Sequence, residues 1–104
     1  MASTKGYLDY ILEQLSELDG ITHRAMMGEY ILYYRGRVFG GIYDDRLLVK
    51  PVPTAVKLMP DAGMERPYEG AKAMLPVDDL DDRDFLKNLV ESMWEELPEK
   101  KKKR

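Results

Sequence analysis

His23 is the single histidine of the chain, and imidazole is the side chain best suited to move a proton near neutral pH. Catalysis or metal binding at His23 needs company. The chain has no Cys and no second His, so neither a thiol nucleophile nor an ordinary zinc ligand set can form around it. The three Ser residues, Ser3, Ser16 and Ser92, lie near a chain end or in helical segments, and none is beside His23. The run Asp78-Asp79-Leu80-Asp81-Asp82-Arg83-Asp84 is dense in carboxylates but lacks the turn Gly and the distal Glu of an EF-hand loop. Its acids are expected to cap and open a helix. Gly36, Gly40 and Gly41 have the wrong spacing for a dinucleotide fingerprint and sit in a turn and a strand. The expectation is no catalytic residue, no cofactor and no metal.

Residues suited to binding are easier to find. Arg66-Pro67-Tyr68-Glu69-Gly70-Ala71-Lys72 packs two cations, a tyrosine, a Pro and a Gly into seven positions. Arg66, Tyr68 and Lys72 are candidates for a small anion or peptide site, with Pro67 and Gly70 supplying turn chemistry. In the run Glu29 to Tyr34, strand alternation sends Tyr30, Leu32 and Tyr34 to one face and Ile31 and Tyr33 to the other. A strand apolar on both sides must be covered on both, either by loops of its own chain or by a partner. Tyr30 and Tyr34 are therefore candidate partner contacts, with a second copy of the chain among the possible partners. At the end, Lys100, Lys101, Lys102, Lys103 and Arg104 form a basic run able to touch phosphates weakly and without sequence preference.

The elements that must position these residues follow from periodicity. Ser3 or Thr4 can cap a helix whose apolar stripe is Tyr7, Leu8, Ile11, Leu12, Leu15 and Leu18, with Gln14 on the polar side and Gly20 closing it. Arg24 to Lys50 then reads as a three-stranded meander: Met26 to Tyr34, a turn at Arg35-Gly36, Arg37 to Tyr43, a turn at Asp44-Asp45, and Leu47-Leu48-Val49. Gly28, inside the first strand, is read as a bulge. Thr54 to Met59 is a short helix between prolines, and Arg66 to Gly70 and Lys72 to Val77 are two short extended pieces. Asp81 to Asp84 opens a last helix with Phe85, Leu86, Leu89, Val90, Met93, Trp94 and Leu97 as its stripe. The order α-β-β-β-α-β-β-α predicts a two-layer α+β domain, an antiparallel sheet with helices mainly on one face. Leu15, Leu32 or Tyr33, Val38, Leu89 and Trp94 are the expected core.

Composition narrows the function classes. At 104 residues the chain makes one small domain, which buries roughly two-thirds of the surface its unfolded form exposes. Met1 to Lys5 carries no apolar signal region, and no apolar run approaches a membrane span, so cytoplasmic residence without membrane contact is expected. The net charge of -3 hides an asymmetry: residues 1–98 carry 11 bases against 18 acids, and residues 99–104 five against one. An acidic body argues against a broad phosphate-binding surface on the fold. The domain is taken as 1–98, followed by a disordered basic tail over 99–104.

Arg24-Ala25-Met26-Met27-Gly28-Glu29-Tyr30, with Tyr33-Tyr34-Arg35-Gly36, Phe39-Gly40 and Asp44-Asp45-Arg46-Leu47-Leu48-Val49-Lys50-Pro51, resembles the N-terminal domain of the TfoX/Sxy family. Arg66 to Lys72, Asp81-Asp82 and Glu96-Leu97-Pro98 are similar to a short, single-domain branch of it. The resemblance implies a prokaryotic source, a compact α+β domain like the secretion-chaperone folds, a connection to regulation of natural competence, or DNA transformation, and no catalytic residues. Where many members have Met-Phe-Gly-Gly, this chain has Met26-Met27-Gly28-Glu29. The functional expectation is a non-enzymatic regulatory or adaptor domain that contacts a protein partner such as a transcription regulator. A nucleic-acid accessory role through the tail, and a small-ligand binder or enzyme, are the alternatives.

Overall fold

The computed structural model describes residues 3–97, so the basic run Lys100 to Arg104 and the boundary at 98/99 lie outside the described residues. Helix α1 (Lys5–Gln14) starts where the Thr4 hydroxyl accepts from the Tyr7 N–H at 3.1 Å. Four strands follow, β1 (Ile21–Met26), β2 (Glu29–Tyr34), β3 (Arg37–Ile42) and β4 (Leu47–Val49). After α2 (Pro53–Leu58) come β5 (Leu75–Pro76), α3 (Arg83–Met93) and a short 3-10 turn at Trp94–Glu96. All neighbouring strands pair antiparallel, in the order β1-β2-β3-β4-β5. The α+β reading holds.

The chain turns once more than expected between His23 and Tyr34. Met27 and Gly28 have φ of 53° and 85°, the positive pair that a two-residue hairpin requires. Gly28 is therefore a corner, and the predicted single strand Met26 to Tyr34 is a hairpin tip followed by β2. The same geometry recurs at Arg35-Gly36 and at Asp44-Asp45, with φ between 51° and 84°. The bulge lies elsewhere: Leu32 pairs with Gly40 but Tyr33 with Val38, which leaves Phe39 as the extra residue and turns its fully buried ring into the core. A Cβ on Gly40 would stand 2.2 Å from the Leu48 carbonyl oxygen, so only glycine fits beside the bulge.

Register assigns the two faces. Leu32, Tyr34, Phe39, Ile42, Leu47, Val49 and Leu75 join Leu8, Ile11, Leu15, Leu86, Leu89 and Met93 in one apolar cluster between sheet and helices. Helix α3 is capped by Asp82, whose carboxylate accepts from the Phe85 N–H at 3.0 Å. Leu15, Leu32 and Leu89 sit in the core as expected, and Trp94 packs partly buried against it. Val38 does not: the bulge puts it with Tyr33 on the opposite face, half-buried. Gln14 is buried, against its expected polar placement, because its amide donates to the Leu80 carbonyl at 2.8 Å. That bond satisfies a side chain which would otherwise be costly to bury.

Of the two extended pieces expected over Arg66 to Val77, only Leu75–Pro76 is a strand. Glu65 and Met74 form an isolated bridge with bonds of 2.8 and 2.7 Å, and the residues between them make a loop. Its turn is closed by the Ala71 N–H on the Tyr68 carbonyl at 3.1 Å, with Gly70 at φ 87°, as the third position of a type II turn demands.

Candidate functional site

Two surfaces stand out, at opposite parts of the sheet. The first is β1, whose residues Thr22 to Met26 are all exposed. Among the described residues β1 pairs on one side only. The Arg35 N–H donates to the Gly20 carbonyl at 3.0 Å, and in an antiparallel ladder the bonded residues then alternate, so Thr22, Arg24 and Met26 bond to β2. Ile21, His23 and Ala25 consequently point their N–H and C=O groups at the open edge. His23 lies edge-on to Tyr30, ring centroids 6.1 Å apart. Met27, at the hairpin tip, is 96% exposed.

The second surface is the outer face of β3 and β4, where the 65–74 loop folds over the sheet. Leu48 and Tyr43 are buried there, outside the main cluster. On the same face Ile31, Tyr33 and Val38 stay half-buried. Arg46 ties the loop down: its guanidinium donates to Glu65 Oε1 at 2.6 Å, to the Tyr43 carbonyl at 3.1 Å and to the Pro67 carbonyl at 3.4 Å. Between loop and sheet lies a cavity of about 430 Å³, walled by Val38, Tyr43, Val52, Pro67, Tyr68, Ala71, Ala73 and Met74, with Lys50, Lys72 and Glu96 as its charged groups. The Tyr43 and Tyr68 ring centroids are 6.3 Å apart. Burial above all, then Tyr68 and the Glu29 carboxylate, push the Tyr43 phenol above its ordinary range.

The sequence candidates divide between these places. Tyr68 and Lys72 line the cavity. Arg66 is exposed and takes no part in its wall; the cation that organises the loop is Arg46. Tyr30 is half-buried beside His23. Tyr34 is 4% exposed, a core side chain whose carbonyl accepts from the Trp94 indole N–H at 3.1 Å, so its ring is withdrawn from any partner. Sequence reading missed Arg46, Tyr43 and Lys50. Alternation gave a signal for Tyr43 and Lys50, which share the outer face with Leu48, but their meeting with a loop 20 residues onward had none.

A smaller cleft of about 250 Å³ gathers Asp61, Asp78 and Asp79 around Leu58, Met59 and Phe85. Among the described residues no group of three or more His, Asp or Glu side chains is placed to hold a metal ion. Among them, too, no helix is long and apolar enough to cross a membrane.

The comparison with known families decides the kinship, because the model of the TfoX N-terminal domain matches residues 13–97. The chain belongs to the TfoX N-terminal domain family. The match takes in every strand, both surfaces and α3. The chain is also similar to a Spirochaeta aurantia protein described as an uncharacterized 12.7 kDa protein in the trpE 5' region, 30% identical over 80 residues, covering 77% of this chain and 70% of the relative. No solved structure matches the chain.

Proposed function

We propose that this TfoX-type domain is a non-enzymatic regulatory or adaptor module of the kind linked to competence regulation, and that it works by adding a strand of a partner protein to the free edge of β1. The observation that carries this reading is the geometry of β1: three outward backbone donors and three acceptors, on a strand with both faces exposed. Unpaired edges of this length are ordinarily shortened, charged or covered. An extended segment of a transcription regulator, or β1 of a second copy, satisfies these groups by main-chain pairing and takes its specificity from side chains such as His23, Arg24 and Tyr30.

The family match supports the regulatory class. The scarcity of nucleophiles and of a second histidine supports binding over chemistry. Affinity capture from the native host with the full chain, a version ending at Pro98 and an Ala25→Pro variant tests the reading. Ala25→Pro deletes one outward donor while leaving the β1–β2 bonds in place, so it should lose the partner while the tail deletion keeps it. Retention of every partner by folded Ala25→Pro would refute the edge as the docking site.

A further inference from the structure

The cavity under the 65–74 loop lies two strands from β1 and serves no part of the edge-docking account. We propose that it binds a small amphipathic monoanion, an aromatic or aliphatic body carrying one carboxylate. Its volume of about 430 Å³ falls in the range of small-molecule sites, which are mostly apolar with a few placed polar groups. The walls fit that description: Val38, Tyr43, Pro67 and Met74 are apolar or aromatic surface, and the Tyr68 ring, 57% exposed, stands at the mouth.

Charge sets the sign of the ligand. Lys50 and Lys72 both line the cavity, and among the described residues neither ammonium has a hydrogen bond or an ion pair. The third charge, Glu96, is already engaged, its Oε1 accepting from the Thr54 N–H at 2.9 Å at the start of α2. Two free cations against one committed carboxylate leave a surplus of one positive charge. Lys50 is half-buried and Lys72 exposed at the cavity's rim, and a carboxylate that reaches either ammonium forms a charge-assisted bond. The basic run Lys100 to Arg104 carries the wrong sign to fill this place from within the chain.

The test is a nitrogen-15 NMR titration of the full chain with phenylacetate and with octanoate, and with phenylacetamide as the neutral twin of the first. At least one acid should shift the amides of Tyr43, Ala71 and Ala73 saturably, and phenylacetamide should bind about tenfold more weakly than phenylacetate, since a hydrogen bond to a charged group is lost. Lys50→Met with Lys72→Met should weaken the acid by about tenfold or more and leave the amide unchanged. Ala73→Phe, which fills the cavity, should abolish both. No saturable shift with either acid, equal affinity for acid and amide, or shifts confined to other surfaces would overturn the proposal. The acid–amide comparison on the unaltered chain decides the matter even if a variant fails to fold.

Discussion

Replacing Arg46 by Met removes the guanidinium that holds the 65–74 loop against the sheet, and the structure fixes how much that should cost. Three contacts are lost: 2.6 Å to Glu65, 3.1 Å to the Tyr43 carbonyl and 3.4 Å to the Pro67 carbonyl. The ion pair is partly exposed, 34% and 45% for the two side chains, so solvent screening holds it to about 0.5 kcal/mol. The Tyr43 bond contributes about 1 kcal/mol and the long Pro67 contact little. The expected loss is therefore about 1 to 2 kcal/mol, and the Met side chain keeps the packing of the arginine stem. The Tyr43 bond lies within the β3–β4 turn, and the Glu65 and Pro67 contacts are the two that hold the loop, so the part lost at the loop should appear first as local opening. Hydrogen exchange at the Glu65 and Met74 amides, which bridge the loop ends, should accelerate about two- to fivefold. The urea midpoint should fall by about 1 M. Unchanged exchange at both amides would show that Arg46 does not secure the loop.

Leu89→Ala should cost about 2 to 5 kcal/mol in chemical denaturation, because Leu89 is fully buried between α3 and the sheet; a loss below about 0.5 kcal/mol would mean that α3 does not pack as described. Stability should also decline in alkali. Tyr43 and Tyr7 have phenols raised above the ordinary 10.0, mainly by burial, so the fold holds their protons more tightly than the unfolded chain does; their contribution is complete below pH 10 and drains away as the pH climbs through the folded values. Tyr43→Phe should flatten that decline in urea melts taken across the alkaline range. Any nucleic-acid affinity should reside in Lys100 to Arg104, fall steeply with salt and vanish on truncation after Pro98; sequence-selective binding by the truncated chain would contradict this.

Most of the fold was legible because it rests on local signals. The stripe of α3, its acidic opening at Asp81 to Asp84 and the corners at Arg35-Gly36 and Asp44-Asp45 follow from side-chain period and turn chemistry and occur where the sequence puts them, whereas α1 ends at Gln14, short of the stop expected at Gly20, with Leu15 and Leu18 buried beyond it. Met27-Gly28 was misread because Met at a positive-φ corner is uncommon, and a glycine inside an apolar run suggests a bulge as readily as a turn. The true bulge at Phe39 has no local marker, since Val38-Phe39-Gly40-Gly41 reads as plain strand. That one residue reversed the faces on either side of it and sent Val38 outward.

The candidate site was legible only in part, for a similar reason. Tyr68, Lys72 and Gly70 declared themselves by composition, whereas Arg46, Tyr43 and Lys50 join them through a contact between β3–β4 and a distant loop. Arg66 drew notice as a charge in an unusual heptapeptide, yet the loop's turn leaves it outside the cavity. Aromatic alternation in β2 was correct, but it could not say that α1 and α3 bury Tyr34 while leaving Tyr30 at the margin.

Hydrogen exchange at three amides tests the central claim most directly. Ile21, His23 and Ala25 present the outward N–H groups of β1, whereas Thr22 and Arg24 donate to β2. In the free protein the first three should exchange fast and the other two more slowly. With the captured partner bound, all three outward amides should gain protection together, with no comparable change at Glu65 or Met74. If the complex forms while Ile21, His23 and Ala25 still exchange as in the free protein, the partner does not extend the sheet at β1 and the edge-docking account is wrong.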